Sequence, residues 1–366
     1  IHGSKNDFLE FIQYISSNNI RNSEVYNVVS DWIDIEEYIK YQIIQIFIDN
    51  RDWPGNNVKL WRDDRENGKW RWILYDADYG FAFPKWMNEH RKFNTLDFAL
   101  ETNGPGWPNP PWSTFLFRKL MENSAFKNQF INVYSDYLNT IFLPKNLNDK
   151  LESTKKGISK YIDQHHQRWG QGYIDWNSEI DRMKVFGESR AYYAKRHIRS
   201  TFNLARHEQV RVSVTPIGSG QVKLNTLVID NQWSGDYFPG APISVTAVPR
   251  SGYKFKEWKG IPDSLASMNV DVENFTSFEA VFDTDLSIEK NYKAVFNLLD
   301  VDRFIDYIII NFYAGNADWA FQNWNASNNR NDPERSWLFH NWDAEKTFQQ
   351  VTDDVTHAND PGSPTQ

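Results

Sequence analysis

The stretch NRDWPGNN, residues 50–57, decides how this chain is read, because NADWAFQN repeats its spacing at residues 316–323. Each copy holds an Asp, four residues, then an Asn. Each also follows an apolar stripe of helical period. Before the first copy, Ile35, Tyr38, Ile39, Ile43, Ile46 and Phe47 recur at three and four, with Asp34 placed to cap the helix. Pro54 cannot sit in a helix interior, so the helix stops before it. Beyond the loop, Val58, Leu60 and Trp61 lead through Asn67-Gly68 into KWRWILY (69–75), which predicts a β-hairpin ending at DADYGF (76–81).

Laying residues 34–53 on 300–319 pairs identical residues at Asp34, Ile39, Tyr41, Ile43, Ile44, Asn50, Asp52 and Trp53. After a one-residue shift, Trp70, Asp76, Ala77 and Phe81 meet Trp337, Asp343, Ala344 and Phe348. The repeated unit is therefore helix–loop–hairpin, too large for a short solenoid module. Helical patterns at 8–20, 113–140, 146–168 and 176–203 make the first two hundred residues mostly helical. Near residue 209 the period changes to two: VRVSV (210–214) and ISVTAV (243–248) alternate and FEAVF (278–282) ends the run, which predicts a small all-β module. DTDL (283–286) reads as a linker. The expected class is α+β, with units at 1–208, 209–285 and 286–366.

Composition narrows the partners. The net charge is −8 and no basic stripe is evident, which argues against nucleic acid. Cysteine is absent, which excludes a disulfide framework and thiolate chemistry. No apolar run is long enough to span a bilayer. Many of the 16 Trp, 17 Tyr and 25 Phe must be buried, but a chain this rich in Trp can also expose rings for binding sugars or peptides.

The loop and hairpin suit one chemistry. Phosphoryl transfer asks for a carboxylate at the attacking hydroxyl and a divalent metal between phosphate oxygens. Protein kinases place the first on an Asp-x4-Asn loop and the second on an Asp after the next strand pair. Asp52, Asn57 and Asp76 reproduce that order, with Asp78 as a further oxygen ligand. Asp318, Asn323 and Asp343 repeat it. The same residue types serve equally to cap a loop by side-chain hydrogen bonds, or to form a solvated turn after a strand. His165-His166 reads as a packing or capping pair, since adjacent helical His point apart.

Three pieces together resemble the CotH family, bacterial spore-coat-type and secreted proteins with an atypical kinase-like fold. They are YQI (41–43), NRDWPGNN with Leu60-Trp61, and GKWRWILYDADYGF (68–81). FKNQF (126–130), HHQRW (165–169) and the helix from Arg190 through His197 to Phe202 fit the same pattern. NFYAGNADW (311–319) and NWDAE (341–345) resemble it again, with Glu345 in place of Asp78. YFPGAPISVTA (237–247), GYKFKEWKG (252–260) and AVF (280–282) resemble a divergent internalin-type B-repeat. Such a repeat implies a spacer or adhesion unit, and a single Trp233 or Trp258 in it reads as core.

The resemblance implies a mostly helical kinase-like C-lobe with a small hairpin sheet, then the β-repeat, then a partial second unit. It implies ATP with Mg or Mn, transfer to Ser or Thr of secreted, surface or coat proteins, and an extracellular or cell-surface setting. Asp52 and Asp318 then match the loop acid, and Asp76 and Asp343 the metal acid. Asn57, Asn323 and Asp78 follow as metal ligands by the kinase analogy. No V-A-I-K strand surrounds Lys5, and no glycine-rich loop precedes the first helix. That departure keeps a second reading in view: a non-catalytic surface adhesion or glycan-associated protein built on the same scaffold.

Overall fold

The computed structural model describes residues 5–63, 68–83, 89–102, 104, 108–170, 175–314, 316, 324–328 and 336–341. The chain is α+β. It divides into two compact units, 1–248 with 255–281, and 249–254 with 282–366.

The first unit opens with helices α1 (Asn6–Ser17), α2 (Ser23–Trp32) and α3 (Ile35–Phe47), then the strands β1 (Lys59–Trp61) and β2 (Arg71–Ile73). Helices α4 (Thr95–Leu100), α5 (Pro111–Met121), α6 (Ser124–Leu138), α7 (Pro144–Ile158), α8 (Ile162–Trp169) and α9 (Trp176–Thr201) follow. Asp34 caps α3 as its position predicts, its carboxylate accepting from Glu37 N at 3.2 Å. The hairpin is antiparallel, with Leu60 opposite Trp72; its turn lies outside the described residues.

Two expected helices are broken. The segment 113–140 is α5 and α6, because the Asn123 side chain accepts from Ala125 N and Phe126 N and starts a new helix. Its amide also donates to Ile20 O at 2.8 Å, tying that start to the loop after α1. The segment 146–168 is interrupted by a single 3₁₀ turn at Ser159–Tyr161.

The core is aromatic. Tyr38, Trp72, Phe117, Phe126 and Phe130 pack edge to face and tilted around α3, and Phe47 stacks on Phe142 at 3.7 Å between ring centres. Such pairs add about 0.5–1.5 kcal/mol each beyond area burial.

The β module follows as β3 (Glu208–Thr215), β4 (Gly220–Leu224), β5 (Leu227–Ile229), β6 (Gln232–Tyr237), β7 (Ile243–Pro249), β8 (Tyr253–Lys259), β9 (Ser267–Val270) and β10 (Ser277–Thr284). They form two four-stranded sheets, ordered β6-β3-β10-β8 and β5-β4-β7-β9. Trp258 is buried, its indole N–H donating to Leu265 O at 3.0 Å. Rather than standing off as a spacer, the module is docked on α6. Asp136 is fully buried there. Its carboxylate accepts from Thr226 N (2.9 Å), Thr226 Oγ1 (2.6 Å), Tyr237 Oη (2.6 Å) and Asn225 Nδ2 (3.2 Å). Burial pushes this carboxyl above its ordinary value, and those donors pull it back. Asn132 and Asn139, on or at the end of the same helix, donate to Pro242 O and Asp236 O.

In the second unit α10 (Glu289–Val295) and α11 (Val301–Tyr313) precede an antiparallel pair, β11 (Trp324–Ser327) and β12 (Leu338–Asn341). The repeat seen in the sequence is present in the hydrogen bonds. Asp34 N donates to Trp70 O in the first unit, and Asp300 N to Trp337 O in the second. Asp300 caps α11 as Asp34 caps α3.

Arg190 of α9 joins the elements of the first unit. It is fully buried, and its guanidinium donates to Ile46 O and Phe47 O at the end of α3, and to His90 O, Arg91 O and Phe93 O. Replacing it with Met removes all of these bonds at once, and the expected loss is about 3–5 kcal/mol of unfolding free energy. A urea midpoint for Arg190→Met within experimental error of the parent would refute this.

Candidate functional site

The loop after α3 is built from the inside out. Asn50 is fully buried; its N–H donates to Gln45 O at 3.1 Å and its side-chain amide to Gln45 Oε1 at 2.8 Å. The Oδ1 of Asn50 then accepts from Asp52 N at 3.0 Å, which fixes the backbone of that acid. Trp53, also buried, anchors the next position by donating from Nε1 to Tyr41 Oη at 3.0 Å. Gly55 donates to Pro108 O at 2.5 Å, and a Cβ there would lie 2.4 Å from that same oxygen, so only glycine fits.

The Asp52 carboxylate accepts from Asn56 Nδ2 (3.0 Å) and Asn57 Nδ2 (2.7 Å). Asn57 sits at φ 54° and its Nδ2 also reaches 3.5 Å from Asp76 O. Asp76 itself is left-handed at φ 50°. Two neighbouring non-glycine residues in that region are costly and are held only where the surroundings insist. The structure thus brings Asp52, Asn57 and Asp76 together, with the Asn amide between loop and strand end. Asp78 is exposed on the same turn. Asp318, Asn323 and Asp343 lie outside the described residues.

Among the described residues, the exposed Asp76 and Asp78 carboxylates take no hydrogen bond or ion pair. No group of three or more His, Asp and Glu there is arranged to enclose a metal. A pair of open carboxylates beside an Asn fits Mg²⁺, which keeps waters and takes one or two carboxylates plus substrate phosphates. It does not fit a closed all-protein cage.

Beneath the loop lies a buried charge cluster that the sequence reading passed over. Asp49 is fully buried at φ 59°. Its carboxylate takes Arg51 through Nε and Nη2 (3.1 and 2.9 Å), His90 Nδ1 (2.7 Å) and Thr95 Oγ1 (2.5 Å). Arg190 reaches the same Thr95 hydroxyl at 3.1 Å. Arg51, next to the loop acid in sequence, faces inward to Asp49 and stacks over Phe93. Burial draws the Arg190 guanidinium below its ordinary value, against the pull of Asp49. One signal was available: Phe186, Arg190, Ala194 and Ile198 fall at successive steps of four, so Arg190 sits inside the apolar stripe of α9.

The His165 and His166 rings meet edge to face at 6.0 Å between centres, on a helix, α8, that has no buried residue. Its eight residues offer too little apolar surface to hold it on the core.

The chain is thus an α+β protein in which a helix–loop–hairpin unit recurs and its first copy carries an acidic loop. It matches the family model described as CotH kinase protein over residues 2–194 and again over 252–366, and it belongs to that family. Residues 210–293 match a divergent InlB B-repeat domain. No curated protein and no solved structure matches the chain.

Near this site, His197 of α9 donates from Nε2 to Lys92 O at 3.0 Å. Burial first, and Arg190 second, push its pKa down to about 4. The unfolded chain takes up this proton near pH 6.5 and the folded one near pH 4, so protons favour unfolding between them. Stability from this group is complete above pH 6.5 and falls as the pH drops towards 4. Urea midpoints at pH 7 and pH 4.5 should converge in His197→Gln relative to the parent, and an unchanged pH slope would exclude His197 as the source.

Proposed function

We propose that the first unit is a metal-dependent phosphotransferase that moves the terminal phosphoryl group of ATP to a Ser or Thr hydroxyl. The observation that carries this reading is the Asn57 amide, bonded to the Asp52 carboxylate at 2.7 Å and lying 3.5 Å from Asp76 O. It ties the loop acid to the backbone of the acid that follows the hairpin, which supports the order of groups that phosphoryl transfer needs. In this reading Asp52 orients the acceptor hydroxyl and takes its proton as the oxygen attacks. The amides of Asn56 and Asn57 hold that carboxylate still, which avoids reorganisation during the reaction. Asp76 and Asp78, with Asn57, would hold Mg or Mn, which when bound neutralises charge on the phosphate oxygens. The B-repeat match supports an acceptor protein outside the cell or on its surface.

Two variants test it. ATP with Mg or Mn at about a hundred times its Kd should stabilise the chain by about 2.7 kcal/mol, a rise of roughly 3–6 °C in Tm. Asp76→Ala should lose that rise. Asp52→Asn should keep it while lowering phosphate incorporation about a hundredfold or more. No rise in the intact chain, with a rise on adding a glycan, would replace this reading by the adhesion one.

A further inference from the structure

The second unit repeats the helix of the first but not its cover. Ile39, Ile43 and Ile44 of α3 align with Ile305, Ile309 and Ile310 of α11. In α3, Ile39 and Ile43 are fully buried and Ile44 packs against the same core. In α11 the three isoleucines are 48 %, 56 % and 52 % exposed. The hairpin does not account for the difference. Tyr38 packs on Trp72 in the first unit, and Phe304 and Tyr307 pack on Phe339 in the second. What α3 has besides is a cover of helices, α4, α6 and α9. Isoleucines at i, i+4 and i+5 make an apolar stripe of the kind that seats a partner helix.

The first copy also shows which helix meets that stripe. The Tyr137 hydroxyl of α6 and the ammonium of Lys40, next to Ile39, are close enough to act on each other's charge. From α6, Phe126, Phe130, Tyr134 and Leu138, at steps of four, join the core that holds Ile39 and Ile43. The flanks of the two stripes differ in charge. Lys40 is paired with Glu36, one turn back. The overlay puts Asp306 and Asp302 at those positions. Both are exposed, and among the described residues neither carboxylate takes a hydrogen bond or ion pair. Like charges one turn apart repel, and a cation brought by the partner relieves that.

We infer that the Ile305, Ile309 and Ile310 stripe of α11 is a docking face for an amphipathic helix of the α6 kind. Its inner face is aromatic and aliphatic at steps of four, and a Lys or Arg on its flank meets Asp302 and Asp306. Nothing in this docking depends on the phosphotransferase reading.

The probe is a synthetic peptide of residues 123–142, α6 with its Asn cap and Phe142, titrated into the intact chain and followed by circular dichroism and sedimentation velocity. A second peptide carries Tyr137→Lys. The expected result is saturable one-to-one binding with a gain in helix content, and an affinity about two- to fivefold higher for the Lys peptide. Ile305→Gln with Ile309→Gln, at positions already half exposed, should keep the parent's Tm and weaken both peptides by about tenfold or more. Asp302→Asn with Asp306→Asn should erase the gain of the Lys peptide and keep the binding of the other. Failure of both peptides to bind overturns the inference, as does binding that the double Gln variant leaves unchanged. So does a dimer of the intact chain that the same variant dissolves, because the stripe then seats a second copy. Equal affinity for the two peptides overturns the basic flank.

Discussion

Everything at the acidic centre hangs on one buried guanidinium. Arg190 closes the C-terminal end of α3 by donating to the carbonyls of Ile46 and Phe47, the last helical turn, whose acceptors have no partner within the helix. The same group gathers the backbone at residues 90–93. A buried cation is costly unless it is paired and bonded, and here carbonyls, the Thr95 hydroxyl and the nearby Asp49 charge supply that compensation. Its planar fork reaches several acceptors in fixed directions, which an ammonium cannot. Because the loop leaves α3 directly after this clamp, the direction in which Asp52 emerges is set from beneath.

The β module obeys a related constraint with the opposite sign. Asp136 is a buried carboxylate that takes four hydrogen bonds from the module and none from a cation, so it is satisfied by geometry rather than by charge. Removing the module would leave that acid bare in the surface of α6. Asn225, one of the donors, sits at φ 45° and uses its Oδ1 to accept from Ser244 N at 2.8 Å. The turn between β4 and β5 is thereby shaped to meet the helix. A B-repeat in this position works as part of the helical unit's own packing.

Much of this was legible in the sequence because it rests on local rules. The cap at Asp34, the end of α3 before Pro54 and the alternation of β3 and β7 each follow from a few neighbouring residues. The repeat was legible because identical residues survive at matching positions. The Asp49–Arg51–His90–Thr95–Arg190 cluster was not, since its members lie as far apart as residues 49 and 190 and only tertiary folding joins them. Arg51 shows the limit best. It stands beside the loop acid in sequence, yet Asp49, two residues back, claims it. The break between α5 and α6 escaped for another reason: Asn123 reads as an ordinary polar residue until its amide finds Ile20 O across the fold.

The second unit separates what builds the loop from what works in it. Asn316 N–H donates to Asn311 O at 3.0 Å and its amide to Asn311 Oδ1 at 2.9 Å, the same clasp that Asn50 makes on Gln45. Asn311 is one methylene shorter than Gln45, yet the bond keeps its length, and both Asn311 and Asn316 are buried. An amide clasp at the exit of the helix is therefore the framework of the motif, and it recurs without the Pro-Gly that follows Trp53 in the first copy. The glycine of NRDWPGNN shapes the far side of the loop against Pro108. The position of the acid comes from Asn50, whose side chain holds the Asp52 amide from a fully buried seat. A reading that begins at the Asp and counts four to the next Asn starts two residues too late: the residue that fixes the geometry is the Asn with which the stretch begins.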